Sequence, residues 1–142
     1  MDKPIAGYGW FIKRIDNALE KEANQNLQAL NLTMQQNRVL ILLAHAEDHT
    51  LSLKALEERF CAAQSTVAGL VSRLEKKGLV EALTAPADKR IKLVRLTEDG
   101  MHLHAQSRQR VVESEERLTS LLSEEEKEQL LSCLKKVYEA VK

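Results

Sequence analysis

Ser65, Thr66, Gly69, Ser72, Arg73 and Lys76 share one face if the stretch from Gln64 to Lys77 is helical, and Gln64 falls in its first turn. Their types suit recognition of a polyanion that carries hydrogen-bonding bases. Gln can pair in bidentate fashion with adenine, Ser and Thr can bond either kind of base edge, and Arg and Lys anchor to phosphates. The simpler reading of Gln64, Ser65 and Thr66 is that they satisfy the free N–H groups of a helix start. Gly69 costs the helix about 1 kcal/mol against Ala. It marks either close approach of the backbone to a partner or a small residue that is merely tolerated. Glu75 is the only acid between Gln64 and Lys77.

A second basic group, Lys89, Arg90 and Lys92, follows Pro86. Ala85 to Arg90 read as the tip of a ribbon that Pro86 stiffens. Arg90 is the side chain suited to a narrow minor groove, where A·T-rich DNA attracts Arg. Asp88 would repel phosphate if free, so it is expected to orient Arg90 or a nearby turn of backbone. From Arg73 to Arg95 there are seven bases and three acids, although the whole chain has 21 of each. That local excess, which includes Lys77 and Arg95, is what a groove-facing patch requires.

These residues need two helices and a ribbon to hold them. Val67, Leu70, Val71 and Leu74 recur at i, i+3, i+4 and i+7, a stripe for burial opposite the polar face. Before them, Ser52 caps a helix whose Leu53, Leu56 and Phe60 point inward, and Cys61-Ala62-Ala63 make the turn. Lys77-Gly78 closes the second helix with Gly after its last turn. Val80 to Thr84 and Ile91 to Leu96 alternate as two strands. The fold class is therefore mostly α with a small antiparallel β wing, a winged helix-turn-helix spanning 31–100.

The sequence Q-S-T-V-A-G-L-V-S-R-L-E-K-K-G-L-V, followed by D-K-R-x-x-x-V-x-L-T-x-x-G, resembles the MarR family of bacterial transcriptional regulators. Asp88, Arg90, Val94, Leu96, Thr97 and Gly100 meet the family's wing signature. Ala63 departs from it where a Ser or Asp cap is common, and Gly69 where a larger polar residue is common. The resemblance implies a homodimer on a pseudo-palindromic double-stranded operator, with the terminal helices joining the dimer interface. It also implies a repressor that a small amphipathic or aromatic anionic effector releases.

The flanking segments fit that implication. Pro4 is suited to open a helix in which Ile5, Tyr8, Ile12, Ile15 and Leu19 form a narrow seam, with Trp10 and Phe11 beside it. Thr33 with Gln36 makes a capping box for a second helix, and Val39, Leu40, Leu42 and Leu43 are its core. Thr97-Glu98-Asp99 starts a long helix expected to run to about Leu122. Ser123 with Glu126 is another capping box, leading a last helix with Leu130, Leu134, Val137 and Val141 on one stripe. Residues 1–30 and 101–142 thus read as dimerisation helices.

Other chemistries have weaker footing. No apolar run could span a bilayer and no signal sequence opens the chain, so a cytoplasmic protein without membrane contact is expected. His45 and His49 are four apart but lack further spaced ligands, and His102 and His104 diverge on a helix, so no metal is expected. No catalytic triad, phosphate loop or paired carboxylates appear at usable spacing, so neither an enzyme nor a cofactor is expected. Cys61, near a helix start that lowers a thiol pKa, leaves open a redox-sensing regulator. A winged-helix module that binds a partner protein, without sequence-specific DNA binding, is the other alternative.

Overall fold

The computed structural model describes residues 6–60 and 64–142, and of Gln64 and Ser65 only the backbone is described. The expected helix opening at Pro4 and the turn holding Cys61 lie outside the described residues. Helices α1 (Tyr8–Ala29) and α2 (Met34–Ala44) come first, then a 3-10 turn (Glu47–His49) and strand β1 (Thr50–Ser52). The chain continues as α3 (Leu53–Phe60), α4 (Gln64–Lys76), β2 (Val80–Thr84) and β3 (Lys92–Leu96). It ends with α5 (Glu98–Leu118) and α6 (Glu124–Val141). Two compact units divide this course, one through Arg110 and one from Val111.

In the first unit, α2, α3, α4 and the sheet close on one core. Val39, Leu40, Leu43, Leu56, Val67 and Leu74 are fully buried there, with Val80 and Val94 nearly so. Each such side chain stabilises the fold by about 1.5–3 kcal/mol. Val67, Leu70, Val71 and Leu74 are all buried, so the stripe expected on α4 is the face that packs.

Local signals decide where helices stop and start. Asn31 (φ 54°) and Gly78 (φ 75°) both adopt the left-handed conformation just past α1 and α4. In each case the next residue donates back across the turn, Leu32 N to Leu27 O at 2.9 Å and Leu79 N to Leu74 O at 3.0 Å. Those bonds satisfy carbonyls that a helix end would otherwise leave open. At α2 the capping box is complete: Thr33 Oγ1 accepts from Gln36 N and Gln36 Oε1 accepts from Thr33 N. Ser52 Oγ accepts from Ala55 N at the start of α3.

The sheet has three strands, not the two expected. β1 pairs antiparallel with β3 on the edge opposite β2, placing Leu51 beside Val94. Three residues are too few to show an alternating pattern, which is why Thr50–Ser52 reads as loop before a cap. β2 and β3 pair as expected, with Val80 opposite Leu96 and Glu81 opposite Arg95.

Thr97 joins the sheet to α5. Its hydroxyl donates to Gly78 O at 2.6 Å and accepts from Gly100 N at 3.1 Å. Gly100 is buried against the Leu79 carbonyl, and this packing is what demands Gly three residues after Thr97.

In the second unit Ser123 and Glu126 form the expected capping box, and the Ser123 N–H holds the Glu126 carboxyl below its usual range. α5 ends at Leu118, short of the expected Leu122, and Leu122 N turns back to Thr119 O. No helix among the described residues is long and apolar enough to cross a membrane.

A Cβ added at Gly100 would fall against the Leu79 carbonyl oxygen and 2.6 Å from Leu96 Cδ1. Gly100→Ala should therefore lower the unfolding free energy by about 3 kcal/mol, the upper range for overpacking, in urea titration. A loss below about 1 kcal/mol would show that the backbone relaxes freely around the added methyl group.

Candidate nucleic-acid interface

Burying one stripe of α4 turns its other side to solvent. Thr66, Ser72, Arg73 and Lys76 are exposed, and Gln64 and Ser65 occupy the first turn of the helix. Gly69 is half-exposed, and a Cβ there would meet no atom of the described residues within 4 Å. Internal packing therefore does not require this glycine.

The basic residues counted in the sequence separate into two groups. Lys76, Lys89 and Lys92 are exposed with Arg73 and Arg90. Lys77 does not belong with them: its Nζ donates to Asn31 O at 2.5 Å and to Gln36 Oε1 at 3.0 Å. It ties the end of α4 to the corner between α1 and α2. Gln36 is a buried polar residue, and the Lys77 cation and Thr33 N–H together satisfy its carbonyl oxygen. Arg95 pairs with Glu81 across the strands, Nε to Oε1 at 2.6 Å. Glu75, the lone acid on α4, turns aside to accept from Ala82 N at 3.0 Å, covering an N–H of the edge strand.

The wing tip is built as the Asp88/Arg90 spacing anticipates. Arg90 Nε donates to Asp88 Oδ1 and its Nη2 to Oδ2, each at 3.1 Å, and Arg90 N also donates to Oδ1 at 3.0 Å. The Arg90 side chain and then its backbone N–H hold the Asp88 carboxyl below its usual range. A bidentate fork fixes the plane of the guanidinium while its side chain stays 90% exposed.

Two bases missed in the sequence stand beside this set. Lys54, at the start of α3, lines a groove of about 650 Å3 with Arg90 and Lys92. Arg38 of α2 lines a cavity of about 340 Å3 with Thr66, Gly69 and Arg73. Helical spacing tells that both point away from the core, but not which neighbour each one meets.

The histidines do other work. His45 Nδ1 lies 2.9 Å from Ile41 O, and His49 Nδ1 lies 3.2 Å from Ala44 O. Carbonyls only accept, so both nitrogens carry hydrogen and close the end of α2. The His104 ring packs edge-on to His45 at 6.0 Å, and burial, then His45 and Arg108, lower its pKa.

Comparison with known proteins places this geometry. A family model described as MarR family matches residues 32–92. The HTH-type transcriptional regulator FarR of Neisseria gonorrhoeae is 32% identical over 127 residues, covering 87% of this chain and 86% of that protein. The homoprotocatechuate degradative operon repressor of Escherichia coli is 29% identical, over 73% of this chain and 69% of its own length. Among solved structures, the Staphylococcus aureus MepR–DNA complex superposes with TM-score 0.84 at 27% identity, covering 95% of this chain and all of that one. MepR itself, a regulator of the multidrug efflux pump MepA, gives 0.83 at 28% identity, over 96% and 99% of the two chains. These relatives are regulators of transcription, not enzymes. The chain belongs to the MarR family of winged helix-turn-helix transcriptional regulators.

Proposed function

We propose that this protein is a cytoplasmic, homodimeric repressor that binds a pseudo-palindromic operator and leaves it when a small amphipathic or aromatic anion binds. The observation that carries the DNA reading is the exposed polar face of α4 together with a wing whose Arg90 is pre-oriented by Asp88. Gln64, Ser65 and Thr66 then meet base edges first, and Gly69 lets the helix sit deep. Arg73, Lys76, Lys89 and Lys92 hold phosphates, and Arg90 enters the minor groove. The MepR–DNA complex supports duplex DNA as the partner, and the E. coli relative's name supports repression.

Residues 31–100 are the DNA-binding domain in this reading, and 1–30 with 101–142 form the dimer. Support comes from exposed apolar surface on the terminal helices. Along α1, Phe11, Ile12 and Ile15 are about half exposed. On α6, Leu131 is 56% and Tyr138 63% exposed, and Leu134 and Val137 lie beside them. Two such faces favour association with a second copy by about 25 cal/mol for each Å2 covered.

Titrating labelled duplexes from the DNA upstream of its own gene, against scrambled duplexes, tests the reading by fluorescence anisotropy. Preference for one upstream sequence is expected, and equal binding of all duplexes would favour a protein-interaction module. Arg90→Ala should weaken binding and reduce the salt slope by about 0.9 for each phosphate that the variant no longer neutralises. An unaltered slope and affinity would remove the wing from the groove. Gly69→Ala should raise stability by about 1 kcal/mol while weakening operator binding. Tighter or equal binding would mean that Gly69 is only a tolerated small residue.

A further inference from the structure

Arg38 lies on α2, an element that supplies none of the DNA contacts proposed above. Its guanidinium Cζ sits 4.6 Å from the centre of the Phe60 ring, and Nη2 donates to Arg59 O at 2.9 Å. Stacking and a backbone bond hold an otherwise exposed cation at the end of α3. A guanidinium over a ring face, with one backbone bond made, keeps further N–H donors for another acceptor.

The cavity beside it explains what that acceptor is. Arg38 and Arg73 line it together with Thr66 and Gly69, and among the described residues no acid does. Two guanidinium groups around one concavity, without a carboxylate, make a site for an anion. Thr66 and Gly69 belong to the face of α4 proposed to meet bases, so the nearest anion in the complex is the sugar-phosphate backbone bordering that groove. Arg90 and Lys92 lie by the start of α3, with Lys54, whereas this cavity is at the other end of α3.

We propose that Arg38 and Arg73 each hold a backbone phosphate of the bound duplex where it borders this cavity, so that α2 anchors the recognition helix on the flank that the wing does not reach. This inference rests on the DNA-binding reading and adds a residue, and an element, to it. Arg38 is fixed before DNA arrives, so its ordering is already accomplished in the free protein.

The test is a salt series of operator binding by the full chain, comparing wild type with Arg38→Gln, Arg38→Met and Arg38→Lys. Gln removes the charge, and Met also keeps an apolar stem over Phe60, so one of the two remains folded if the stack matters to stability. Both neutral variants should bind about tenfold more weakly. Their salt slope should fall by about 0.9 for each bound protomer, and Lys should recover part of it. A purely structural role would leave the slope unchanged, with affinity following thermal stability alone, and that result would overturn the proposal. Wild type that binds duplex DNA while every variant keeps its slope defeats only the Arg38 assignment. Wild type with no salt-dependent binding to any duplex defeats the DNA reading and this inference with it.

Discussion

Helix α4 is short, 13 residues, and everything around it follows from its having one face to bury and one to present. Val67, Leu70, Val71 and Leu74 are committed to the core, so rotation about the helix axis would expose apolar surface and bury Thr66 or Arg73. Fully burying one charged side chain without a partner costs more than any single base contact returns. The orientation of the polar face is thus set by hydrophobic burial before any nucleic acid is present. This is the physical basis for reading α4 as a rigid, pre-aimed element.

Position along the axis is set differently, at the C-terminal end of the helix. The left-handed turns after α1 and α4 are joined by Lys77, which donates to Asn31 O and to the buried Gln36 Oε1. At the same end, Thr97 binds Gly78 O while Gly100 packs on the Leu79 carbonyl. The helix terminus, the corner before α2, and the link from the wing to α5 therefore meet in one hydrogen-bonded cluster. Polar groups that would be costly if left open become the fixings that hold reading helix and wing in one piece.

Much of this was legible in the residues. Helical spacing revealed the α4 stripe, Thr33/Gln36 and Ser123/Glu126 announced two helix starts, and Gly78 marked an end. Asp88 two residues before Arg90 anticipated the fork at the wing tip. Pairings between residues distant in the chain were not legible. Lys77 looked like one more groove-facing base because its acceptor at Asn31 is 46 residues away. Strand β1 is too short to show a period, and Arg38 declares itself only through Phe60. Periodicity reports which side of an element is buried, whereas partner choice on the polar side is a property of the assembled fold.

The proposed dimer would hold two such heads at one separation, and B-DNA repeats its major groove about every 34 Å, or about 10 base pairs. The most direct measurement is affinity for duplexes carrying two operator half-sites whose centre-to-centre spacing is changed one base pair at a time. Tight binding should be confined to spacings near one full turn. Adding about five base pairs should carry the second half-site to the far side of the duplex and reduce binding to that of a single half-site. Affinity that ignores the spacing would contradict a two-headed reader with a fixed span.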